Sequence, residues 1–122
     1  MVETMAFNPD RMLAALDEGM LATDVADYLV GKGVPFREAH GIVGRLVRRS
    51  LDTNIPLSKL PIEDYRAISS VFDSDVYAVF DFAASVAKRS APGGTAPEAV
   101  RQQIAQADDW LTDFRSAWAT SR

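Results

Sequence analysis

LATDVADYLVGKGVPFREAHGIVGRLVRRS, residues 21–50, reads as two helices joined by a glycine- and proline-bearing turn. Thr23 is an N-cap candidate, and Asp24 in the first turn faces the positive end of the helix dipole. Val25, Ala26, Leu29 and Val30 recur at helical spacing until Gly31-Lys32-Gly33 stops the helix. Val34-Pro35 turns the chain, and proline opens a second helix, Pro35 to Ser50. Its apolar stripe is Phe36, Ala39, Ile42/Val43, Leu46 and Val47, at i, i+3, i+6/i+7 and i+10/i+11. Arg37, Arg45, Arg48 and Arg49 take the remaining face, three of them near the C-terminal end where the dipole favours cations.

The same grammar extends outward. Upstream, Asn8-Pro9 reads as a cap and first helical position for a helix Pro9 to Glu18, with Met12, Leu13 and Leu16 apolar and Gly19 as its stop. Downstream, Asp52 to Leu60 is a loop, and Pro61 leads an acidic first turn into a helix to about Val71 with Ile62, Tyr65, Ile68 and Val71/Phe72 apolar. Ser74-Asp75 can cap a short helix carrying Val76, Val79 and Phe80, and Phe82 to Lys88 holds another turn or two. Ser90 to Gly94 is a break. Thr95-Ala96-Pro97-Glu98 then has the form of a capping box. The helix it opens runs from about Ala96 to near Trp118, and Val100, Ile104, Ala107, Leu111, Phe114 and Trp118 repeat at 4, 3, 4, 3, 4, a coiled-coil seam. No sustained alternation marks a strand, so the expected class is all-α, a small multi-helix domain with a long C-terminal helix.

Composition narrows the function. The chain has 122 residues, 13 Lys+Arg against 17 Asp+Glu, a net charge of −4, one histidine and no cysteine. Disulfides, thiolate zinc sites and cysteine nucleophiles are excluded, and a site of several histidines cannot form within one chain. No apolar run approaches the ~20 residues of a membrane span, and the start lacks the basic and apolar regions of a signal peptide. The expectation is a cytoplasmic protein without membrane or nucleic-acid partner, since nucleic acid favours basic surfaces.

Candidate chemistry is sparse. His40 is the one acid/base group near neutrality, readable as a general base or anion ligand, or as a helix histidine with a structural contact. Arg45, Arg48 and Arg49 could bind phosphate or a carboxylate partner, or form a solvated face with internal ion pairs. Gly93-Gly94-Thr95 before a helix could cradle an anion, but lacks the lysine of a P-loop, and a plain loop and cap is the simpler reading. Thr23 to Arg49 can be tested as a helix-turn-helix; its turn is longer than DNA binders favour and the chain is acidic. Trp110, Phe114 and Trp118 could form a partner-binding stripe; Leu111 and Phe114 are simplest as core, while the tryptophans point to self-association. No residue is assigned a catalytic, cofactor-binding or metal role.

Two stretches exceed generic helix grammar. Residues 21–40, LATDVADYLVGKGVPFREAH, continue into Gly-Ile-Val-Gly, and residues 93–100, GGTAPEAV, continue into Arg-Gln-Gln-Ile. In that order and separation they resemble the C-terminal region of argininosuccinate lyase, of the fumarase/aspartase superfamily. Phe72-Asp-Ser-Asp-Val-Tyr77 is similar to the family's intervening segment, and Met1 to Met12 resembles the stretch leaving its central helical domain. The resemblance implies a lyase that splits argininosuccinate into arginine and fumarate by β-elimination without metal or organic cofactor. It also implies a homotetramer with active sites assembled from several subunits.

The family's catalytic serine lies in a Gly-Ser-Ser loop and its catalytic histidine in a Thr-His segment; neither string occurs here, and His40 belongs to a different motif. No catalytic or substrate-binding residue carries over. Residues 1–8 are read as the remnant of a connection from the central domain, and 9–122 as the C-terminal helical domain, from a truncated chain, a proteolysed protein or a split gene. The expected partners are the rest of the lyase chain and its tetramer. The chain alone is expected to be inactive and to self-associate through apolar surface, with Met1, Val2, Met5 and Phe7 as candidates. The alternatives are a stand-alone helical interaction module and the DNA-binding helix-turn-helix.

Overall fold

Asn8 accepts a hydrogen bond from the Arg11 amide at 3.0 Å, opening helix α1 (Pro9–Ala14) in a computed structural model that describes residues 2–120. The cap works as the sequence predicts, but the helix ends early. Asp17 bonds the Gly19 amide at 2.8 Å and starts a 3-10 turn, Glu18–Leu21, so Gly19 is no helix stop. That turn feeds directly into α2 (Ala22–Gly31), which leaves Thr23 inside the first turn instead of at its cap.

α2 ends as expected. Gly33 has φ 91°, its amide reaches Val30 O at 2.9 Å, and the Val34 amide reaches Leu29 O at 3.0 Å. This is a Schellman closure, and glycine meets the left-handed geometry without a Cβ penalty. α3 (Phe36–Thr53) begins after Pro35 and outlasts its expected end at Ser50. Thr53 Oγ1 bonds Arg49 O at 2.8 Å, and Asn54 takes φ 52°, so the loop starts later than Asp52.

α4 (Ile62–Ile68) is shorter than expected, because Ser69 turns extended and releases Val71 and Phe72 from the helix. The short element after it is a 3-10 turn, Ser74–Val79, with Asp73 and not Ser74 at the cap position. All of this belongs to the first of two compact units, Met1–Phe80. α2 lies along α3, with α4 and the 3-10 turns packed around them. Leu29, Leu46, Tyr65 and Val76 are fully buried, and Phe72 nearly so. Tyr65 stands edge-on to Phe72 and Tyr77, with centroids 5.1 and 5.8 Å away. Burial of each such side chain contributes about 1.5–3 kcal/mol, and this packing holds the short helices in place.

Phe36 departs from its stripe. It is 63% exposed, while Ala39, Ile42, Val43 and Leu46 are buried. It lies in the first turn of α3, at the end of the buried row.

The second unit, Asp81–Arg122, begins with Asp81 capping α5 (Phe82–Ala87) through the Ala83 and Ala84 amides at 2.8 and 3.1 Å. A tight turn follows, with the Gly94 amide on Ala91 O at 2.7 Å. A Cβ on Gly94 would lie 2.1 Å from Arg89 O, so the close backbone approach requires glycine. α6 (Pro97–Thr120) is 24 residues long. Ala96 O accepts from the Val100 amide at 3.0 Å, so Ala96 holds the cap position and Thr95 precedes it. Glu98 is engaged by Arg101 at 3.2 Å and Gln102 at 3.4 Å, one turn further into the helix. Leu111 and Phe114 were expected in a core; both are exposed, as is every residue from Val100 to Thr120. There is no strand among the described residues, and the fold is all-α with a long C-terminal helix. No helix among them is long and apolar enough to cross a membrane.

Candidate functional site

Four of the polar candidates, His40, Arg45, Arg48 and Arg49, lie on α3. His40 is exposed and lies against Phe36, with ring centroids 6.4 Å apart and planes 22° from parallel. The pair is one helical turn apart at i, i+4, so the two rings meet on the helix surface. Among the described residues no carboxylate or hydroxyl reaches the imidazole, so none of them gives His40 the orienting partner that a general base uses.

The three arginines do not act as one cluster. Arg49 sends Nε and Nη2 to the same Asp64 oxygen at 3.1 and 2.9 Å, joining α3 to α4. Arg48 faces Asp52 one turn on, at 3.5 Å. Arg45 makes no ion pair among the described residues, and together the three line a hollow of about 350 Å³ with Asp52, Asp64, Ala67 and Ile68. Two carboxylates in that hollow neutralise two guanidiniums, which leaves one net positive charge to offer an anion. Thr95 lies in the other unit, next to a loop whose Gly94 and Ala96 amides already bond Ala91 O and Arg89 O. Those amides are therefore not available to an anion.

Other polar side chains organise the first unit, and no local spacing announced them. Tyr28 donates its hydroxyl proton to Asp75, and Lys32 Nζ reaches the same carboxylate at 3.0 Å. Lys32 also lies 4.7 Å over the Tyr28 ring. Bonding by Tyr28 and Lys32 holds the Asp75 carboxyl below its ordinary value, and contacts with Tyr28 and Asp75 raise Lys32. Arg66 reaches Asp73 at 2.6 Å, and Glu18 accepts from the Ser58 amide at 2.9 Å. Glu18 and Ser58 tie the start of the unit to its middle, beside a hollow of about 380 Å³ walled by Leu16, Val47, Leu51 and Ile55. Tyr28 and Lys32 share one helix face, but Asp75 is 47 residues away from Tyr28, so only the fold brings them together.

Among the described residues no three His, Asp or Glu side chains come together to hold a metal. The polar groups mostly close the fold upon itself through interelement bonds. Among the described residues the arrangement is that of a helical domain with three arginines on α3 and no nucleophile–base pair.

Comparison with known proteins gives that class a family. The family model described as argininosuccinate lyase C-terminal matches residues 19–87, from the Glu18–Leu21 turn through α5. The argininosuccinate lyase of Roseiflexus sp. (strain RS-1) is 62% identical over 106 residues, covering 87% of this chain and 23% of its own length. That of Chloroflexus aurantiacus (strain J-10-fl) is 51% identical over 110 residues, covering 90% of this chain and 24% of its own length. The lyase of Nitratidesulfovibrio vulgaris (strain Hildenborough) is 48% identical over 112 residues, covering 91% and 24%. The chain belongs to the argininosuccinate lyase C-terminal family. It spans about a quarter of the length of the curated relatives it matches.

Proposed function

We propose that this chain serves as the C-terminal domain of a cytoplasmic argininosuccinate lyase, which cleaves argininosuccinate to arginine and fumarate in arginine biosynthesis. Its partners in that role are the rest of a lyase chain and the homotetramer, with no nucleic acid, membrane or cofactor. The observation that carries this reading is the match over residues 19–87, which spans the buried core of the first unit. Elimination needs a base for the proton and a group to stabilise the developing negative charge. His40 lies against Phe36 at the surface, and among the described residues no carboxylate orients it. The 122 residues alone are therefore inactive, and their contribution to the reaction is structural.

Fumarate absorbance tests both parts. Residues of this chain, exchanged for the matching quarter of the Roseiflexus lyase, are expected to leave its activity within a few-fold of the parent. Loss of activity in a chimera that still assembles refutes the domain role. Fumarate formation by the purified chain refutes its inactivity. The second reading, a stand-alone interaction module, is favoured by the exposed apolar face of α6.

A further inference from the structure

α6 carries an apolar stripe that is exposed along its length. Isolated helices in water are marginal, and most helices draw their stability from a packed apolar face. From Val100 to Thr120 every residue of α6 is exposed. Trp110, Phe114 and Trp118 are 64%, 52% and 59% exposed and stack along the helix at 5.5 and 6.3 Å. The lyase family model ends at residue 87, whereas the matches to the curated lyases cover 87–91% of the chain and run into α6.

We infer that α6 pairs with α6 of a second copy as an antiparallel coiled coil, in a register centred between Thr112 and Asp113. The heptad seam supplies the contact, with Leu111 and Trp118 at a positions and Ala107 and Phe114 at d positions. Antiparallel pairing sets a against d. In this register Leu111 meets Phe114 of the second copy, and Trp118, the largest side chain of the seam, meets Ala107, the smallest. Trp110 falls opposite Ala117 on one flank, again large against small. On the other flank Asp108 meets Arg115 of the second copy, and the symmetry makes that pair twice.

The neighbouring registers are worse. A shift of one heptad toward the N-terminus sets Asp108 on Asp108 and Arg101 on Arg115. A shift of two heptads restores opposite charges but leaves Phe114 and Trp118 uncovered, and its arginine is Arg101, already engaged by Glu98 at 3.2 Å. A parallel pair stacks Trp118 on Trp118 and finds no opposite charges across its flanks. The six aromatic rings of two copies, each more than half exposed, offer roughly 500–800 Å² at the usual 150–250 Å² per buried ring. Leu111 and Ala107 bring the total near the roughly 1,000 Å² of a specific interface.

Sedimentation equilibrium of the 122-residue chain is expected to show a monomer–dimer system at micromolar concentration. Asp108→Arg and Arg115→Asp each create two like-charge contacts, and each is expected to weaken the dimer about tenfold. The double exchange D108R/R115D restores the parental affinity, with circular dichroism checking that α6 stays helical in all variants. The chain has no cysteine, so orientation can be read from cross-links. A107C and W118C proteins mixed in a glutathione buffer are expected to form the mixed disulfide. A monomer at about 100 µM, a dimer indifferent to both charge reversals, or A107C homodisulfides in place of the mixed species would each overturn the inference.

Discussion

Tyr65 is buried completely, yet its hydroxyl donates to Leu57 O at 2.6 Å, so the ring fills the core without stranding a polar group. Burial pushes the phenol above its ordinary value, with the Tyr77 and Glu18 charges adding in the same direction. The sign follows from linkage. The unfolded chain ionises first, so the stability that Tyr65 contributes is complete below about pH 10 and is lost as pH rises beyond it. Lys32, also raised, acts in the same direction. Urea unfolding of the parent is expected to weaken steeply above pH 10. Tyr65→Phe is expected to cost about 1 kcal/mol at pH 7 through the lost bond and to show a shallower alkaline decline. Equal alkaline slopes in both proteins would remove Tyr65 as the cause. Asp75 behaves oppositely: its lowered carboxyl contributes stability above the ordinary carboxylate range, lost as pH falls through it.

At the scale of elements, α3 shows what local patterning can and cannot convey. Its start after Pro35 and its buried row Ala39, Ile42, Val43 and Leu46 follow from spacing alone. Its end does not, because Thr53 bonding Arg49 O and the left-handed Asn54 carry the helix past Ser50. α6 shows the reverse. Its heptad was legible in full, but periodicity does not say what covers a stripe, and Leu111 and Phe114 proved exposed. Two glycines separate conformation from space. A Cβ on Gly44, inside α3, meets nothing within 4 Å, so Gly44→Ala is expected to stabilise by up to about 1 kcal/mol. Gly33 is equally open but has φ 91°, so Gly33→Ala is expected to destabilise by about 1 kcal/mol. Thermal unfolding of the two variants should move in opposite directions; a common direction would contradict the role of φ.

At the scale of the molecule, the first unit is held by one core into which each of its longer helices contributes. Leu46 of α3 is fully buried in that core. Leu46→Ala removes part of the side chain and leaves a cavity, with an expected cost of about 2–5 kcal/mol. Against total stabilities of about 5–15 kcal/mol this is a large fraction, readable as a fall in urea midpoint at unchanged slope. A loss below about 1 kcal/mol would mean that the core around Leu46 closes without it. The candidate site followed a different logic from the core. His40, Arg45, Arg48 and Arg49 were visible as chemistry-bearing types on one helix, but their partners were not. Asp64 reached Arg49 from another element, and Phe36, exposed at the end of its stripe, lies against His40.

The helical class, most helix starts, the heptad of α6 and the lyase family are all legible in the amino-acid order. These follow from contacts within a few residues or from contiguous motifs. Helix ends, the neutralised arginines, the meeting of Tyr28, Lys32 and Asp75, and the exposure of the α6 stripe emerged only in the folded chain. The physical reason is range. Caps and periodicity act over one or two turns, whereas ion pairing and burial depend on residues that only chain closure brings close, such as Tyr28 and Asp75, 47 positions apart.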